Sequence, residues 1–140
     1  MDTLHFEIVR PDKLLHEGEA TSVVVIAPSG EVGILPGHDS EIMTLGGGIM
    51  RVQHLPNEHG ATQTRVVIKG GYAEISSDAV TILANHARDI DDIYPEEVKR
   101  TQEETARELA KFPASDSRRP YYEEKYEWCD LLLSSAEKLS

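Results

Sequence analysis

The segment Gly30-Glu31-Val32-Gly33-Ile34-Leu35-Pro36-Gly37-His38, followed by Asp39, Ser40 and Glu41, holds the side chains best suited by type to do chemistry. An imidazole with carboxylates nearby is the raw material of proton transfer or of a metal site. The spacing argues against both. On an extended strand Asp39 and Glu41 share a face while His38 points elsewhere, and no second cluster offers the remaining ligands. A surface loop is the expectation for His38 to Glu41, with no catalytic or metal-ligating residue assigned.

Other motifs lead the same way. Gly46-Gly47-Gly48 lacks the Lys-Ser/Thr ending of a phosphate loop, opens no helix, and reads as a bulge or tight turn. Neither a Gly-x-Ser-x-Gly elbow nor a His-Glu-x-x-His helix occurs. His5, His16, His54, His59 and His86 are scattered over strand ends and loops, where a solvated imidazole is the ordinary outcome. The carboxylates of the second half stand among basic residues, as on a solvated helix face. An enzyme is disfavoured and no cofactor is expected.

Composition narrows the partners. The chain has 140 residues, 39% of them hydrophobic, enough for one modest core with an accessory element. A formal net charge of −11 excludes nucleic acid and an anionic membrane surface as direct partners, since both repel an acidic protein. The single cysteine, Cys129, permits no internal disulfide, fits a reducing compartment, and beside Trp128 and Leu131 reads as a small buried hydrophobe. No run of about 18 apolar residues and no signal-like amino terminus is present, so a cytosolic location without membrane insertion is expected.

The elements that must position these residues change character near residue 85. Before it, short β-branched runs at 4–9, 22–27, 32–35, 41–45, 48–53, 64–68, 72–76 and 80–84, with a fainter one at 14–19, are bounded by turn residues. Such spacing predicts an antiparallel sandwich or barrel. Gly30, Gly33, Pro36 and Gly37 then make the 30–38 segment a short strand flanked by turns, a rigid loop tip. After it, two helices are expected, from Pro95 to about Lys111 and from Pro120 or Tyr121 to about Leu139. Tyr122, Tyr126, Cys129 and Leu133 form the packing stripe of the second helix, with Trp128 off that stripe; Val98, Thr105, Leu109 and Phe112 form a thin stripe on the first. The class is α+β: an N-terminal antiparallel β-sandwich domain over 1–87, then a C-terminal antiparallel two-helix hairpin over 88–140.

Residues 30–38, together with Gly70-Gly71-Tyr72-Ala73-Glu74-Ile75 and Val80-Thr81-Ile82-Leu83-Ala84, resemble the epsilon subunit of F-type ATP synthases, in the right order and spacing. The resemblance implies a two-layer sandwich of about ten strands and a helical hairpin. It implies a non-catalytic rotor subunit of the central stalk that binds the gamma subunit and the membrane c-ring. In that family the hairpin can fold against the sandwich or extend along gamma into the catalytic alpha/beta head and block hydrolysis. On this reading Glu31, Gly33, Pro36, Gly37 and His38 are the c-ring and gamma interface candidates. The location implied is peripheral, on the cytoplasmic side of an energy-transducing membrane such as the bacterial plasma membrane. Two departures stand out. Asp39, Ser40, Glu41 and Ile42 replace the Ala-Pro and apolar residues common after His38, and Ile90-Asp91-Asp92-Ile93-Tyr94-Pro95 lacks the arginine of family members whose hairpin binds ATP. ATP binding to the hairpin is therefore not expected. The rival reading is a stand-alone β-sandwich module that binds a ligand or peptide under a helical lid.

Overall fold

The computed structural model describes residues 2–138, and in it the chain divides into two compact units, Met1–Asp89 and Ile90–Ser140. The first contains seven strands: β1 (Leu4–Arg10), β2 (Lys13–Ala27), β3 (Gly30–Ile34), β4 (Glu41–Thr44), β5 (Gly47–His54), β6 (Gln63–Ile75) and β7 (Ala79–Asp89). Their order is β1-β7-β6-β5-β2-β3, with β4 on β6, and β1 also pairs β2. That last pairing closes the sheet on itself, so inward side chains from both sides meet in one sandwich-like core. All pairings are antiparallel except β1 with β7.

Seven strands stand where about ten short ones were expected, because neighbouring runs fuse. The runs at 14–19 and 22–27 join as β2 through a bulge between Ala20 and Ser22. The bulge shifts the alternation by one residue, so Ala20 and then Val23 and Val25 all face the core. The runs at 64–68 and 72–76 join as β6 through Gly70 and Gly71, whose φ values are 77° and 113°. Buried positions change parity across this pair, from Val66 and Ile68 to Ala73 and Ile75. Only glycine serves at 71, since a Cβ there would lie 2.0 Å from the Leu83 carbonyl oxygen. β7 continues to Asp89, beyond the 80–84 run and beyond Ala87, because Arg88 and Asp89 still pair with Val67 and Val66 of β6. Charged side chains hid that extension from the hydrophobic pattern.

The second unit holds a short 3-10 turn (Ile90–Asp92), α1 (Pro95–Ala110) and α2 (Arg119–Glu137). Pro95 opens α1, with Glu96 and Glu97 in its first turn, where the macrodipole favours them. The helices are antiparallel: Gln102 Nε2 donates to Asp130 Oδ1 (3.1 Å), and Arg119 Nη1 donates to the carbonyls of Leu109 and Phe112 (2.8 Å each). Those two bonds cap the end of α1, where the Leu109 carbonyl also accepts the Phe112 N–H (3.2 Å). The expected end of α2 at Leu139 lies outside the described residues.

The packing stripe of α2 differs from the expected one. Cys129 is buried, Tyr122 and Leu133 are half-buried, and Tyr126 is 37% exposed. The buried set is Trp128, Cys129, Leu132 and Ser135. Trp128, placed off the stripe by the four-and-three stepping, is only 9% exposed. An indole loses more by standing in water than a tyrosine that can keep its hydroxyl wet, so the buried face turns towards Trp128 and Leu132.

Candidate docking end of the sandwich

Ile34 closes β3 by burying its side chain in the core, and the chain then turns outward. Leu35 is 62% exposed, and its carbonyl accepts the His38 N–H across a turn at Pro36-Gly37 (3.2 Å). Gly37, at φ 89°, donates its N–H to the Ser77 carbonyl (2.7 Å). This tie anchors the loop to the β6–β7 turn, itself held by Ser76 Oγ donating to Asp78 Oδ1 (3.1 Å). Proline geometry, a left-handed glycine and a cross-loop bond together leave the tip little freedom.

Glu31 lies on β3 opposite Ile26, and its Oε2 accepts from Arg51 Nη1 at 2.6 Å. Arg51, Val24 and Gly33 occupy one cross-strand row, open at its edge because Gly33 has no side chain. The ion pair is exposed, a setting in which such pairs contribute about 0–1 kcal/mol. Fold stability is thus a weak reason for Glu31.

His38 donates from Nδ1 to the Asp39 carbonyl (2.7 Å), which fixes the tautomer, because a carbonyl can only accept. Its Nε2 then faces Glu41 Oε1 at 3.7 Å. The two were expected to point apart, but β4 begins only at Glu41 and residues 38–40 are loop, so strand alternation does not apply. Ile42, 74% exposed, and Glu41 line an open depression of about 570 Å³ with Glu74, Ile75, Ser76 and Thr81. This end of the sandwich presents exposed apolar side chains within a rim of carboxylates: a surface for contact, held rigid.

The sequence left one grouping unseen. His5 and Glu7 alternate on β1, Glu17 and Glu19 alternate on β2, and the hairpin register pairs His5 with Glu19 and Glu7 with Glu17. The legible signal was the period-two spacing in both runs; what was missing was the register that joins them.

Three comparisons bear on identity. Residues 3–90 match the family described as ATP synthase, Delta/Epsilon chain, beta-sandwich domain. The chain is 30% identical over 134 residues to the ATP synthase epsilon chain of Hyphomonas neptunium, covering 96% of each. It is 31% identical over 101 residues to the chloroplastic ATP synthase epsilon chain of Cucumis sativus, covering 72% of each. Among solved structures, a chain of the Euglena gracilis mitochondrial ATP synthase (OSCP/F1/c-ring) aligns over 99% of this chain and 80% of its own length, with TM-score 0.63 and 22% identity. A chain of the Tetrahymena thermophila central stalk and c-ring aligns over 95% and 96%, with TM-score 0.60 and 10% identity.

Proposed function

The chain belongs to the ATP synthase delta/epsilon-chain family, and from that premise we propose that it is a non-catalytic central-stalk subunit linking the gamma subunit to the c-ring. It works at the cytoplasmic side of an energy-transducing membrane as a peripheral component. Among the described residues no helix is long and apolar enough to cross a membrane. Glu31, Gly33, Pro36, Gly37 and His38 form the docking end for the c-ring and gamma.

The observation that carries this reading is the pairing of exposure with rigidity over residues 35–42, a turn and loop that run into β4, where Ile42 pairs with Glu74. Leu35 and Ile42 stand in solvent on backbone that is pinned by its own hydrogen bonds. Large apolar side chains displayed this way add nothing to the core and suit a partner surface. The carboxylates around them favour a neutral or basic partner. The helical unit is proposed to regulate: it reaches the catalytic head and restrains hydrolysis, as a two-state element would.

Two variants of the assembled ATP synthase test this. Glu31→Lys should weaken proton-coupled ATP synthesis while changing the subunit's own stability by no more than about 1 kcal/mol; normal assembly with normal synthesis would remove Glu31 from the contact. Truncation after Phe112 should leave assembly intact and raise ATP hydrolysis, and unchanged hydrolysis at low driving force would leave only the linker role.

A further inference from the structure

Next to the β6–β7 turn that anchors the docking loop, where the His5 N–H donates to the Asp78 carbonyl (2.8 Å), the outer face of the β1–β2 hairpin gathers one imidazole and three carboxylates. His5 stands opposite Glu19, and Glu7 stands opposite Glu17. Two like charges placed directly across a strand pair destabilise it, and the His5 ring, 3.5 Å from Glu7 and 3.9 Å from Glu17, offsets that repulsion only while it is protonated. His5 lies within ion-pair distance of all three carboxylates.

The donor atoms have a specific arrangement. His5 Nδ1 lies 3.2 Å from Glu19 Oε2, while Nε2 lies 3.5 Å from Glu7 Oε1 and 3.9 Å from Glu17 Oε2. One ligand atom from each of His5, Glu7 and Glu17 falls within 4.8 Å of the other two. Nitrogen and oxygen ligands about 2.0–2.2 Å from a zinc-sized ion in tetrahedral geometry are separated from one another by roughly 3.3–3.6 Å. The Nε2-to-carboxylate spacings already approach that value. With its Nδ1–H donated to Glu19, the imidazole directs Nε2 towards the other two carboxylates, so that exchange of the Nε2 proton for a metal ion would give the carboxylate–histidine–metal relation found around bound metals.

We propose that His5, Glu7 and Glu17 form a site for a divalent cation of the zinc class, with water completing the coordination and Glu19 orienting the imidazole. Mixed imidazole and carboxylate donors fit zinc better than calcium or magnesium, which take oxygen ligands. Binding offsets the Glu7–Glu17 repulsion and ties β1 to β2 through their side chains. This goes beyond the rotor reading and does not depend on it.

The test is titration of the full-length chain with zinc chloride above neutral pH, followed by calorimetry, with cobalt(II) as a spectroscopic substitute. One saturable site and the intense visible bands of tetrahedral cobalt are expected. His5→Ala and the near-isosteric Glu7→Gln should each weaken binding at least about 10-fold, and Glu19→Gln about 10-fold with stoichiometry retained. His59→Ala, which alters an exposed imidazole beside Glu58, should change nothing. Circular dichroism confirms that each variant is folded, and Glu7→Gln preserves the test should His5→Ala misfold. Absence of saturable binding, or equal affinity in folded Glu7→Gln and the unaltered chain, would overturn the proposal.

Discussion

The sandwich and the helical hairpin are stabilised in opposite ways. In the sandwich, strands distant in sequence close a sheet around side chains such as Ile8, Val23, Val25, Ile34, Val52 and Ile82, all fully buried. In the hairpin unit, the buried set among the described residues shrinks to Ile93 just before α1, Val98 and Thr105 on α1, and Trp128, Cys129, Leu132 and Ser135 on α2. Much of what joins its helices is polar or aromatic at the tip: Arg119 on two α1-end carbonyls, Arg118 4.2 Å over the Phe112 ring, and Phe112 5.5 Å from Tyr122. A closed sheet with non-local pairing gives way as a unit, whereas a thin seam with local ties opens at low free energy. One region suits a fixed mount and the other a switch. The family match covers 3–90, the same stretch as the mount.

The sharpest way to break that contrast is Gly71→Ala. The new Cβ would press into the Leu83 carbonyl at a φ of 113°, so β6 and β7 must part where they hold the sheet closed. The expected loss is about 3 kcal/mol or more, read by urea denaturation. If the sandwich folds alone, a chain ending at Asp89 should be stable and should show the same loss as the full chain. A loss below about 1 kcal/mol would mean that the strand relaxes locally. A loss that differs between the two lengths would mean that the helices share the sandwich's cooperative unit.

How far the sequence could be read follows the same division. Core positions of β1, β5 and β7 were legible because alternation of Leu4, Phe6 and Ile8, or of Val80 and Ile82, is a local signal with a fixed period. Fusion of runs into β2 and β6 was not, because a bulge and a glycine pair look like strand ends until the partner strand is known. A rigid tip was legible from Gly30, Gly33, Pro36 and Gly37, but the Gly37 N–H bond to the Ser77 carbonyl that anchors it was not. The approach of His38 to Glu41, the Glu31–Arg51 pair and the His5 grouping did not, since each depends on register or on a loop conformation. In α2 the stepping of four and three admitted two adjacent stripes. The choice fell to the size and polarity of Trp128 and Tyr126, which periodicity does not weigh.

The smallest effect lies at the hairpin tip. Asp116 accepts from Arg118 Nη2 (2.7 Å), Arg118 Nε (2.9 Å) and the Arg118 backbone N–H (2.8 Å). Hydrogen bonding by the guanidinium, then by the backbone N–H, lowers the Asp116 pKa to about 2. A depressed carboxyl contributes stability that is fully present above its unfolded pKa, near 3.8, and is lost as pH falls through about 2. Asp116→Asn should therefore loosen the 113–119 turn slightly at neutral pH, and the difference from the unaltered chain should vanish in strong acid. Carboxyl NMR titration of Asp116 checks the cause directly, because Arg118→Ala should return its pKa towards the ordinary carboxylate value. If it stays low in Arg118→Ala, the backbone N–H and Arg119 hold the charge, and the tip is tied more tightly than a switchable hairpin requires.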